Sequence, residues 1–149
     1  MYRFTGWRFL TLGRLHERTM WMTSALAVLA DPAAPSGALD LCVEIGDSVL
    51  AHRRRFTVST SRETVISLLV LDPLNPRAIR AHLDEMMEQI RMLPDAEVHG
   101  LLSPLGRAAL KVQAQLSTSD PEAMTSEVLR DLRWQVAHIS DLLTEAYLR

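Results

Sequence analysis

The 149-residue sequence predicts an all-α bundle of about six helices. Three observations carry this. Asn75-Pro76, Ser103-Pro104 and Asp120-Pro121 each pair a capping residue with proline and read as N-cap plus N1, so each starts a helix. Between the breakers the apolar residues recur at helical spacing. The connections are short, so sequential helices should pack as neighbours. Counting from these marks gives helices at roughly 4–30, 37–56, 61–71, 76–93, 104–117 and 121–148, with the first, second and last long.

On a helical wheel the first helix groups Phe4, Trp7, Leu15, Met22, Ala25, Leu26 and Leu29 on one arc. Arg18 falls within that arc, and Arg14 lies at its edge beside Trp21. Glu17, three residues from Arg14, can pair with it. Arg18 has no local partner, and a buried guanidinium without one costs several kcal/mol. The expectation is therefore that Arg18 meets Glu44, Asp47 or Asp72 from another helix; the alternative is that it snorkels, methylenes on the core and guanidinium in water.

The second helix carries a stripe of Leu39, Cys42, Val43, Gly46, Val49 and Leu50, on which Arg53 is the next position, while Arg54 and Arg55 swing outward. Gly46 in mid-helix costs about 1 kcal/mol relative to alanine, so close approach of a neighbouring helix is expected there. Asp40, Glu44, Asp47 and Ser48 occupy the opposite, wetter face. "ADPAAPSG", residues 30–37, is the joint before this helix.

"SRETVISLLVLD" favours a strand on propensity, through Thr64, Val65, Ile66 and Val70. A capping box at Thr60 and Glu63 argues for helix, and a lone strand would have no partner, so helix is retained. "LDPLNPRAI" reads as a tight interhelical turn in which Asp72 and Asn75 cap backbone groups, Pro73 and Pro76 fix φ, and Arg77 stands in the first turn. A functional alternative has Asp72 or Asn75 facing the inward arginines. The Met pair of "DEMMEQIRML" is core at helical spacing.

Composition narrows the function classes. Nearly half the residues are apolar and a quarter charged, the balance of a globular chain long enough for one core. A net charge of -2 gives no electrostatic case for nucleic acid. The single Cys42 excludes an intramolecular disulfide or a cysteine zinc site and reads as a small buried apolar group. His16, His52, His82, His99 and His138 lack the Glu-x-x-His spacing of di-metal bundles, so they read as surface or packing residues and no metal or cofactor is implied. There is no Gly-rich phosphate loop or G-x-S-x-G elbow. No apolar run approaches the roughly 20 residues of a membrane span, and the Met1 region is not a secretory signal, so the expected location is cytoplasmic.

"GWRFLTLGRLHER" at Gly6 to Arg18, "ALDLCVEIGDSVLAHRRRF" at Ala38 to Phe56, "LLVLDPLNPRAIRAHL" at Leu68 to Leu83 and the closing "ISDLLTEAYL" together resemble the alpha-E domain family. The resemblance covers nearly the whole chain and corresponds to the C-terminal half or so of that domain, whose members begin with another helical region bearing its own Gly-Arg-x-x-Glu-Arg-like motif. His52 stands where the family tends to have an aromatic, and Gly46 where it tends to have alanine. The resemblance implies a bacterial companion of ATP-grasp peptide-ligase-like and transglutaminase-like proteins.

Two readings follow. In the first the chain is an accessory or scaffold subunit of such a peptide-ligating system, with its arginine and carboxylate cluster (Arg14, Arg18, Arg53, Arg77, Asp47, Asp72, Asn75) serving structure or recognition. In the second it forms or cleaves amide bonds, with Glu17 or Glu44 as acid/base and arginines holding a carboxylate or acyl phosphate. A helical nucleic-acid-binding regulator is a remoter third. The surplus apolar residues of the first helix, Trp7, Leu10, Met20 and Trp21, point to a homodimer through that helix or to a separately encoded N-terminal half.

Overall fold

The computed structural model describes residues 4–56 and 59–149. The chain is an all-α bundle with one minute hairpin. The first helix, α1, runs Thr5–Leu29, and its buried positions Leu12, Leu15, Thr19, Met22 and Leu26 alternate steps of three and four. Two threonines pass as core because their hydroxyls donate to carbonyls one turn back, Thr19 to Leu15 at 2.8 Å and Thr23 to Thr19 at 2.7 Å. The buried seam is thus centred on Thr19. Arg18 sits beside it and is exposed, which corrects the expectation that it points into the core.

The expected long second helix is two short ones, α2 at Ala38–Ile45 and α3 at Val49–Arg55. Gly46 ends α2, its N–H bonding the Cys42 carbonyl at 2.9 Å, and Asp47 follows in the left-handed region at φ 48°. Gly46 is therefore a C-cap and not a mid-helix residue, but the close approach is there. A Cβ on it would lie 2.7 Å from Leu69 Cδ2 and 3.0 Å from the Cys42 carbonyl oxygen.

The segment with strand-like propensity is helical: α4 spans Arg62–Ile66 and continues as a wider π turn over Ser67–Leu71. Its cap is Ser61 with Thr64, one residue beyond the expected Thr60 and Glu63 pair. Ser61 Oγ accepts from the Thr64 N–H at 3.2 Å, and Thr64 Oγ1 accepts from the Ser61 N–H at 3.0 Å. Val65, Ile66, Leu68, Leu69 and Val70 are all buried. A helix apolar on every side belongs in the centre of a fold, and burial overrides the β preference of its residues.

Helix α5 is Ile79–Arg91, α6 Pro104–Thr118 and α7 Ser126–Tyr147. Ser103 caps α6 as expected, accepting from the Gly106 N–H at 3.1 Å. The other two proline signals start turns: α5 begins three residues after Pro76, and Pro121–Ala123 forms a 3-10 turn before Thr125 caps α7. Between α5 and α6, β1 (Glu97–Val98) pairs antiparallel with β2 (Leu101–Leu102). His99 and Gly100 both have positive φ, 52° and 78°, the backbone of a two-residue type I′ hairpin turn.

Helices α1, α5, α6 and α7 close a ring, α1 against α5 and α7, and α6 against the same two; α2 lies against α1 and α4. Among the described residues no helix is long and apolar enough to cross a membrane.

Candidate functional site

Where α1 passes the end of α2 and the start of α5, a groove of about 300 Å³ opens. It is lined by Glu17, Arg18, Trp21 and Met22 of α1, by Ile45 and Gly46, by Arg77 from the turn before α5, and by His82 of α5. The α1 contribution follows from helical geometry: Glu17, Arg18 and Trp21 span one turn on the side facing away from the buried seam, and Met22 reaches back to the core. The Gly46 and Asp47 break supplies the opposite wall, because the chain turns away there instead of continuing as helix.

Three of the sequence candidates, Glu17, Arg18 and Arg77, therefore meet at one place. Arg18 makes no ion pair among the described residues. The expected carboxylate partners are engaged or distant: Asp47 Oδ2 pairs with Arg77 Nη2 at 2.5 Å, and Asp72 Oδ2 pairs with Arg55 Nη1 at 2.8 Å. Exposure removes the need for a partner, since a solvated guanidinium carries no burial penalty. Arg14 is also exposed and makes no ion pair with Glu17.

His82 is the site residue for which the sequence indicated no role beyond surface or packing. It is buried, and its Nδ1 lies 3.3 Å from Thr19 Oγ1. Burial, first, and then the positive charges of Arg18 and Arg77 hold it below the usual histidine range, so it is neutral near pH 7. The only local signal for this was its place on the α5 seam with Ile79, Leu83 and Met86.

The other candidates separate from this groove. Glu44 and Arg53 are exposed and line a second cleft with Asp40, Val49 and His52. Arg53 is not on a buried stripe; His52 takes that place, bonded to Thr64 Oγ1 at 3.0 Å and tilted against Phe56. Arg55 lies over Phe56, 5.1 Å from the ring centre, while its charge meets Asp72. The triple arginine is thus not a continuous patch. Asn75 is buried and structural: its Nδ2 donates to the Leu68 carbonyl at 2.9 Å and to Ser48 Oγ at 3.2 Å, and its Oδ1 accepts from the Arg77 N–H at 3.1 Å. Asp72 Oδ1 accepts from the Leu74 N–H at 2.9 Å, so Asp72 and Asn75 both cap backbone groups of the turn, but Arg77 stands in the turn before α5 and not in the helix's first turn.

Burial pushes the Cys42 thiol up to about 11, which leaves it protonated and unreactive near neutrality. Among the described residues no group of three or more His, Cys, Asp or Glu side chains is placed to hold a metal ion. Sequence reading also missed Arg62, whose guanidinium ties two distant carbonyls, Ala30 through Nε at 2.7 Å and Met124 through Nη2.

The chain matches uncharacterised proteins of Mycobacterium bovis and Mycobacterium tuberculosis at 23% identity over 160 residues, covering 99% of this chain and 18% of each of theirs. It therefore spans under a fifth of the length of these curated relatives. No solved structure matches it. The Alpha-E profile, described as a predicted alpha-helical domain with a conserved ER motif, matches residues 1–148, and the one Glu-Arg dipeptide in the sequence is Glu17-Arg18, at the mouth of the groove. The chain belongs to the Alpha-E family.

Proposed function

We propose that the chain is an accessory recognition subunit of a bacterial peptide-ligating system, working beside an ATP-grasp ligase-like protein in the cytoplasm. One observation carries the recognition role: Arg18, half of the Glu-Arg pair, stands in an open groove with no ion-pair partner among the described residues. Exposure alone accounts for an unpaired arginine; what supports recognition is that Arg18 shares one concavity with Glu17, Arg77 and His82, so that a few polar groups converge on an otherwise apolar lining. The resemblance of Gly6 to Arg18, Ala38 to Phe56 and Leu68 to Leu83 to companions of ATP-grasp proteins supports the setting.

A second reading is favoured by Glu17, whose carboxylate lines the same groove as Arg18 and Arg77. In that reading Glu17 moves a proton while the arginines hold the substrate, and Glu44, in another cleft, takes no part. Affinity capture of the full chain from its native bacterium, followed by mass spectrometry, tests the first reading: an ATP-grasp protein is expected among the captured partners, and its absence overturns the assignment. Ligation reconstituted from the captured pair separates the two. Glu17→Gln lowers turnover only as far as it weakens capture if the subunit only recognises, and abolishes turnover without weakening capture if Glu17 is an acid/base.

A further inference from the structure

We infer that the groove at Glu17 and Arg18 binds a carboxylate borne by a compact apolar group, the chemistry of a peptide C-terminus ending in a leucine-like residue. The inference rests on the reading of the groove as a recognition site and names what it recognises.

Two guanidiniums converge there. Arg18 is free of ion pairs among the described residues, and Arg77 gives only Nη2 to Asp47, leaving the rest of its five-donor fork available. A guanidinium fork fits the two oxygens of a carboxylate. Both arginines line the same groove beside His82; Glu17 shares that lining, and Asp47 engages one Nη of Arg77 without closing its fork. The rest of the lining is apolar, with Trp21 half exposed at 52% and Met22 and Ile45 beside it. A volume of about 300 Å³ lies at the small end of ligand pockets, room for one side chain and its acid group. Glu17 at the rim decides between oxyanions, because its negative charge repels the second charge of a phosphate dianion more than it disfavours a monoanion.

The test follows the Trp21 indole N–H in proton-nitrogen spectra of the full chain, assigned with Trp21→Phe, during titration with N-acetyl-leucine, N-acetyl-leucinamide and inorganic phosphate. N-acetyl-leucine is expected to shift Trp21 saturably, at least tenfold more tightly than the uncharged amide, with phosphate leaving Trp21 in place. Arg18→Gln is expected to weaken the acid at least tenfold, while Arg18→Lys, which keeps the charge and loses the fork, falls between. Arg18 is exposed, so these variants fold. A second readout is the ring titration of His82, which faces Thr19, the Pro76 carbonyl, Arg18 and Arg77; a bound carboxylate offsets the two arginines and raises its midpoint. Equal binding of acid and amide, a Trp21 shift with phosphate as large as with the acid, unaltered binding by Arg18→Gln, or no saturable shift at millimolar ligand each overturns the inference. If the acid fails to bind yet Arg18→Gln still abolishes capture of an ATP-grasp protein, recognition stands and the carboxylate assignment alone falls.

Discussion

Gly46→Ala should destabilise the protein although glycine is the poorest helix former after proline. The added Cβ would lie 2.7 Å from Leu69 Cδ2 and 3.2 Å from Leu69 Cδ1, against a favourable carbon separation of about 3.5–4.0 Å. Leu69 is fully buried, so it has no free space to swing into, and the Cys42 carbonyl at 3.0 Å is backbone. Overpacking of this kind costs about 1–3 kcal/mol, and the relief of glycine's unfolded-state entropy returns only about 0.4–1 kcal/mol. The net expectation is a loss of about 1–2 kcal/mol, or a melting temperature lower by roughly 3–6 °C for a chain of this size. Gly13→Ala is the internal control: Gly13 lies inside α1 with nothing within 4 Å of its would-be Cβ, so there alanine should stabilise by up to about 1 kcal/mol. The assay is a pair of thermal and urea melts. Stabilisation by both alanines would refute the close-packing argument.

Burial of Cys42 predicts that iodoacetamide leaves the native protein unmodified at pH 8 and labels it stoichiometrically in urea; rapid native labelling would contradict the raised thiol pKa. His16 and His82 are both held below their ordinary 6.5, chiefly by burial, so the unfolded chain binds more protons than the folded one just below that pH. Stability should be fully present above pH 6.5 and fall as the pH drops from there toward the folded-state pKa values, and His82→Gln should flatten part of the fall in melts between pH 7.5 and 5. We propose self-association through the outward face of α1, where Leu10, Trp21 and Val28 are exposed, whereas Met20 turns toward the core and leaves that face. Sedimentation equilibrium at micromolar concentration should then show a dimer that Trp21→Ser and N-acetyl-leucine both shift toward monomer; a wild-type monomer refutes it.

The parts of the fold legible in sequence were those specified by neighbours in the chain. Ser103-Pro104 marks a true helix start because its hydroxyl is free to accept from the Gly106 N–H. The same local signal at Asn75-Pro76 is overridden from a distance: Asn75 gives its amide to Leu68 and Ser48, so residues 75–78 fold as a turn and α5 starts later, without a side-chain cap. The break at Gly46 was hidden by an apolar stripe that runs on across it, although Gly-Asp is a common helix ending. Arg18 is misplaced in the sequence because Phe4, Trp7, Ala25 and Leu29 draw the apolar arc toward it, while the buried seam passes through Thr19 and Thr23, whose hydroxyls are satisfied by their own helix. Individual site residues were readable as Glu17, Arg18 and Arg77, but their meeting was not: it depends on the α2 break and on the Asn75 turn, both set by tertiary contacts. His82 carried no sequence mark that separates a groove wall from ordinary core.

We propose that the Glu17 and Arg18 groove is the surface through which the chain recognises a partner protein. This is tested by parallel affinity capture from the native bacterium with the wild-type chain, Arg18→Gln and, as a remote control, Arg107→Gln at an exposed position of α6. Wild type and the control should retain the same ATP-grasp protein, and Arg18→Gln should lose it at unchanged melting temperature. Equal recovery with all three chains would contradict it.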